Sequence, residues 1–105
     1  TIRLMIYHVV TKKLWKIAQD KGFYEAPSLA IEGFIHFSKH EQVQGVLKRY
    51  YQGQTDLLLL QIEESKLTAN LKYELAPSVN ELFPHLFGPL NMDAVVTVTE
   101  VDSSL

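Results

Sequence analysis

Three strand-like segments follow one another in the second half of the chain with no helical repeat between them, and this constrains the fold more than any other feature. "DLLLLQIEES" carries the apolar run 57–60 and reads as a buried strand. In "NLKYELAP", Leu71, Tyr73 and Leu75 alternate with Lys72 and Glu74, as in a half-buried strand that Pro77 stops. "AVVTVTEV" is a final strand. Parallel strands need long crossovers, usually helical, whereas antiparallel neighbours need only turns. The two amphipathic helical patterns lie earlier. The order is therefore β-α-loop-β-α-β-β-loop-β, which reads as α+β with a split, mostly antiparallel sheet and two short helices.

At 105 residues the chain is expected to form one compact domain over 1–105. It contains no cysteine, so disulfides and thiolate metal sites are excluded. A net charge of −2 argues against a broad basic surface for nucleic acid, although it leaves room for a nucleotide pocket. The run 57–60 is far too short to span a bilayer. Residues 1–10 read as a strand and not as a leader, and the expected location is the cytoplasm.

The opening "TIRLMIYHVV" puts Ile2, Leu4, Ile6, His8 and Val10 on one face and Met5, Tyr7 and Val9 on the other. Both faces are mostly apolar, so a central strand is expected. Thr11 is a candidate N-cap and Gly22 a candidate C′ residue for a helix carrying Leu14, Trp15, Ile17, Ala18 and Lys21. "FYEAPSLAIEGF", interrupted by Pro27 and Gly33, reads as a loop with room for a short edge strand. "FIHF" reads as a short strand. Ser38 and Glu41 form an S-x-x-E capping box, so a helix is expected over 39–53, with Val43, Val46, Leu47, Tyr50 and Tyr51 on one face and Gly53 at its end. "SVNELFPHLFGPLNMD", holding Pro84, Gly88 and Pro89, cannot be one regular element.

Three histidines, His8, His36 and His85, sit among apolar residues at strand ends or in a stiff loop, where sites are usually built. A lone histidine on an apolar face is more often a hydrogen-bonded structural residue. His36 and Ser38 fall on one face of a strand, and a helix N-terminus beside them would favour a phosphate. "FPHLFGPLN" is either a plug for the core or a rigid wall presenting His85 to a pocket. No H-x-x-x-H or H-x-H pair, phosphate loop or nucleophile elbow is present, and no metal is expected.

Taken together, "IYHVVTKKLWKIAQDKGFY", "GFIHFSKHEQV", "LLLLQIEESKL", "LKYEL" and "FPHLFGPLNMDAV" make the chain similar to the bacterial family named domain of unknown function 952, from about residue 4 to residue 98. "GFIHFS" and "FPHLFGPL" are its specific motifs. Glu32 stands where that family usually has an aspartate, which keeps the charge. The family in turn resembles the ADP-ribosyltransferase-like superfamily. This resemblance implies two small sheets around a cleft for a nicotinamide dinucleotide (NAD). It implies that His8 holds the ribose and that His36, with Phe37 and Ser38, builds the nicotinamide pocket. The third position falls to His85, with Glu74 behind it, and Phe37, Phe87 or Tyr7 would stack on the nicotinamide. The absence of an obvious catalytic glutamate departs from the protein-modifying members of the superfamily. A histidine set is closer to enzymes that remove a 2′-phosphate from RNA, which are usually basic, as this chain is not. Cleaving the nicotinamide–ribose bond needs gripped hydroxyls and excluded water more than a strong nucleophile. The readings left standing are such a transferase, a non-catalytic module for a nucleotide or small anion, and an interaction protein with packed histidines.

Overall fold

The structure, a computed structural model, describes residues 3–102; Thr1 and Ile2, the latter expected in the first strand, lie outside the described residues. Its elements in chain order are β1 (Met5–Thr11), α1 (Lys12–Lys21), β2 (Phe23–Tyr24), α2 (Pro27–Glu32), β3 (Ile35–His36), α3 (Val43–Tyr50), β4 (Leu57–Glu63), β5 (Asn70–Ala76), β6 (Glu81–Phe87), β7 (Leu90–Asn91) and β8 (Val95–Val101). They form three sheets, ordered β1-β4-β8, β2-β7 and β3-β6-β5. Every pairing between them is antiparallel, so the α+β reading holds.

The apolar run becomes β4, the middle strand of its sheet, with Leu57, Leu60 and Ile62 fully buried. The expectation that the first strand is central is corrected: β4 takes that place and β1 lies at the side. Both faces of β1 are nevertheless covered. Ile6 and Val10 join the main core with Trp15, Leu60 and Ile62, while Val9 joins a second cluster with Val43 and Leu47 of α3. The outer edge of β1 is closed by Ser38: Tyr7 N donates to Ser38 O at 2.8 Å and Ser38 N to Tyr7 O at 2.7 Å. This pair of bonds ties the first sheet to the segment leaving β3.

Helix α1 forms as its end signals dictate. The Thr11 hydroxyl accepts from Leu14 N at 3.2 Å. Gly22, at φ 90°, takes the left-handed cap and donates to Ala18 O at 2.8 Å. Trp15 and Ala18 are buried, whereas Ile17 faces outward.

Three expectations are corrected. There are three α-helices among the described residues, not two, because 27–32 is helical. Pro27 and Gly33 do not break that segment but bound it: proline opens the first turn, and Gly33, at φ 89°, caps the end. The Ser38 cap does not form, because the bonds with Tyr7 engage both of its backbone groups. The box lies one residue on, where Lys39 N donates to the Gln42 side-chain oxygen at 2.9 Å and Gln42 N returns to Lys39 O at 2.9 Å. A 3₁₀ turn over 40–42 therefore precedes α3. Finally, much of "SVNELFPHLFGPLNMD" is regular, since 81–87 is the middle strand of the third sheet. Pro84 is tolerated because its carbonyl accepts from Phe37 N at 2.9 Å. A strand residue turns its N and O to the same edge. The missing N–H therefore faces the end of β3, and the ladder to Tyr73 of β5 is undisturbed.

Candidate functional site

A cleft of about 640 Å³ opens between the two three-stranded sheets. Residues 8–11 of β1 form one wall, and His36, Phe37, Ser38, Phe83 and His85 form another. Helix α2 contributes Ser28 and Glu32, and α3 contributes Val46, Arg49 and Tyr50. The fold thus brings His8, His36, His85, Phe37 and Ser38 to one cleft. Tyr7, Phe87 and Glu74 do not line it. The Tyr7 hydroxyl accepts from the Gln61 side-chain amide at 3.2 Å, and Lys72 Nζ sits 5.2 Å over the Phe87 ring.

His8 alternates with Ile6 and Val10 on β1 and so turns toward the main core. Its ring is fully engaged. A carbonyl can only accept, so Nδ1 carries the proton and donates to His36 O at 2.6 Å. Nε2 is then the acceptor, and the Tyr24 hydroxyl donates to it at 2.8 Å. Burial, opposed by the bond to the His36 carbonyl and reinforced by the neighbouring His36 ring, drives the His8 pKa down to about 4. Burial, with a smaller contribution from Tyr51, raises the Tyr24 pKa, so that hydroxyl stays a donor. His8 is therefore a neutral strut between β1, β2 and β3, with no nitrogen left for a ligand.

His85 is built differently. It lies opposite Lys72 in the β5–β6 register, diagonal to Glu74 on the same face. Its Nδ1 donates to Glu74 Oε1 at 2.7 Å. The Phe34 ring stacks on it, with centroids 4.1 Å apart and planes at 19°. These contacts fix the ring on both axes. Among the described residues, Nε2 has no protein partner, and no buried side-chain nitrogen or oxygen is left unpaired, so Nε2 is reached by solvent. His36, paired with His85 across β3 and β6, meets it edge-on at 5.2 Å. Its Nε2 donates to Glu32 Oε2 at 2.9 Å, and its side chain is half exposed. A carboxylate-held imidazole with a free nitrogen in a cleft can accept or deliver a proton. No group of histidines and carboxylates among the described residues is arranged to hold a metal ion.

Several contributors were not singled out from the sequence. Tyr24 and Phe34 each act through a histidine, His8 and His85, and Glu32, noted in the sequence only for its charge, acts through His36. Arg49 had one signal, a glycine four residues earlier inside a helix. A Cβ on Gly45 would lie 3.0 Å from Arg49 Nη1 and 3.5 Å from Cζ and Nη2, so the guanidinium rests against the bare backbone there.

A family model described as "Protein of unknown function (DUF952)" matches residues 9–98. The crystal structure of protein CC0527 from Caulobacter crescentus is similar over 93% of this chain and 86% of its own, at 32% identity and a TM-score of 0.85. The solution structure of CC0527 agrees, with a TM-score of 0.80 and 32% identity over 93% of this chain and 84% of that one. No functionally curated protein matches the chain. No helix among the described residues is long and apolar enough to cross a membrane.

Proposed function

The chain belongs to the DUF952 family of proteins of unknown function, so its chemistry has to be read from the cleft, and we propose that the cleft is a nucleotide site whose working group is His85. The observation that carries this reading is the Glu74–His85 pair, bonded at 2.7 Å through Nδ1, on a histidine that lines the cleft and whose Nε2 bonds no group among the described residues. The occupant we favour is NAD, and the reaction class is transfer of its ADP-ribosyl group to a hydroxyl or to water. The cleft fits such a molecule in size, since small-molecule sites span about 300–1,000 Å³. It also fits in lining, with Phe37, Phe83 and Tyr50 offering apolar and aromatic surface.

Within that reaction the chain's own groups divide the work. His85 Nε2 takes the proton of the attacking hydroxyl as its oxygen bonds to the ribose carbon. The electron pair of the broken carbon–nitrogen bond leaves with nicotinamide, which departs neutral. Glu74 and Phe34 are positioning residues that hold the imidazole. His36, tethered to Glu32, sits beside it to meet ribose hydroxyls. His8 touches no ligand and instead fixes the β3 backbone that carries His36.

The test is an amide NMR titration with NAD, ADP-ribose and a phosphate control, followed by an assay for nicotinamide release. Shifts clustered at His36, Phe83 and His85 support the nucleotide reading. His85→Gln should lower release by about 10²–10⁴-fold, the range of general acid–base contributions, while binding persists. Binding with no release in the wild type would make this a nucleotide-binding module. No shifts at millimolar ligand would sink the nucleotide reading.

A further inference from the structure

Among the described residues lining the cleft, Arg49 is the one lysine or arginine. Among the described residues no carboxylate pairs with Arg49, so its charge is left available to the cleft it lines. Its Cζ lies 5.8 Å over the Tyr50 ring, so an aromatic face backs the charge. Complementing the helix dipole does not account for this placement in full, because Lys48 already serves the last turn of α3. Nor does it account for Gly45. Glycine inside a helix is unfavourable relative to alanine, yet α3 has one at position 45, where a Cβ would meet the Arg49 guanidinium at 3.0 Å. The guanidinium fork is always charged and matches phosphate or carboxylate oxygens in pairs. The carboxylates near the other histidines, Glu32 and Glu74, are bonded to imidazoles. Arg49 is thus the one fixed positive charge among the described residues lining the cleft.

We propose that Arg49, seated on Gly45 at the α3 end of the cleft, is the anion-reading residue of this site and selects ligands that carry a phosphate or carboxylate group. The proposal deepens the reading above and rests on the cleft being a ligand site. A ligand so held would put its acidic group against Arg49 and extend past Phe83 to His85, which follows two residues along β6.

The experiment titrates the wild type, Arg49→Gln, Arg49→Lys and Gly45→Ala with pyrophosphate, succinate, ADP-ribose and uncharged adenosine, read by amide shifts and calorimetry. Arg49→Gln should weaken pyrophosphate and ADP-ribose at least tenfold and leave adenosine within twofold. Arg49→Lys should recover only part of the loss, since a point charge replaces a fork. Gly45→Ala, folded and no less stable, should weaken the same anions several-fold. Pyrophosphate shifts without succinate shifts assign a phosphate, and the converse assigns a carboxylate. Unchanged anion affinity in Arg49→Gln overturns the role of Arg49 and leaves the nucleotide reading intact. Pyrophosphate shifts at residues 45–51 with no binding of ADP-ribose or adenosine overturn the nucleotide reading and leave the anion seat standing. No shift with any anion overturns both.

Discussion

His8 should make the stability of this protein fall as the solution is acidified, and the size of the effect follows from its surroundings. The folded state holds the ring at a pKa of about 4, against 6.5 for a free histidine. Above pH 6.5 both states are neutral at this site and it adds no pH dependence. Between 6.5 and about 4 the unfolded chain takes a proton that the folded ring refuses. Stability then drops by up to ~1.4 kcal/mol per pH unit, or about 3 kcal/mol across the window, as an order of magnitude. Below that window the slope vanishes, because both states are charged. A domain of this size has only ~5–15 kcal/mol in total, so the loss is large. Tyr24→Phe removes the donor to buried Nε2 and should cost about 1–3 kcal/mol at pH 7.5. Urea unfolding of the wild type, Tyr24→Phe and His8→Gln at pH 7.5 and 4.5 makes the test. The wild type should lose stability that His8→Gln does not lose, with the other histidines cancelling in the comparison. An equal pH effect in the wild type and His8→Gln would refute the neutral strut. So would a His8 ring that titrates near 6.5 by NMR.

Other perturbations have equally definite outcomes. A Cβ on Gly88 would stand 2.7 Å from the Cβ of Ala69, which packs on the main core, so Gly88→Ala should destabilise by about 1–3 kcal/mol in denaturant melts. Adding Ala69→Gly should recover much of that loss, and a strictly additive double variant would contradict the contact. Thr11→Ala removes the cap that accepts from Leu14 N and should cost ~1 kcal/mol, with faster amide exchange in the first turn of α1. Gly45→Ala should raise stability by up to ~1 kcal/mol, since only the movable end of Arg49 stands in the way. Glu74→Ala should leave the fold intact but broaden the His85 ring signals and reduce nicotinamide release; unchanged release would remove Glu74 from the site.

The elements legible in the sequence were those whose signal is local and long. β4 and β8 show as runs of apolar or β-branched residues, and α1 carries both of its caps. α2 was hidden because six residues are too few to show a helical period, and because Pro27 and Gly33 look like breakers when read singly. Only their spacing, with proline at the first turn and glycine past the last, announces a helix. β6 was hidden by Pro84, whose acceptability depends on β3 stopping one residue earlier. That is a fact of tertiary pairing. The S-x-x-E box at Ser38 and Glu41 misled for a related reason. Tyr7 takes both the N–H and the C=O of Ser38, so neither is left for the Glu41 side chain or the first helical N–H, and the box moves to Lys39 and Gln42. β5 is a strand, as its alternation predicts, but a wetter one, since Tyr73 and Leu75 are 41% and 55% exposed.

The histidines show where sequence reading stops for a physical reason. His8 and His85 look alike in sequence, each a single imidazole among apolar neighbours, and the fold buries both to 9% exposure. What separates them is the chemistry of two atoms apiece. For His8, a carbonyl on Nδ1 fixes the tautomer, and a tyrosine on Nε2 consumes the remaining lone pair. For His85, a carboxylate on Nδ1 fixes the ring, and no group among the described residues bonds Nε2. The partners that make this difference, Tyr24 and Glu74, lie 16 and 11 residues away along the chain and arrive through separate sheets. The same reasoning explains why the strut matters to the site. The carbonyl that His8 holds belongs to His36, so the residue with no free nitrogen fixes the backbone from which a half-exposed imidazole projects into the cleft.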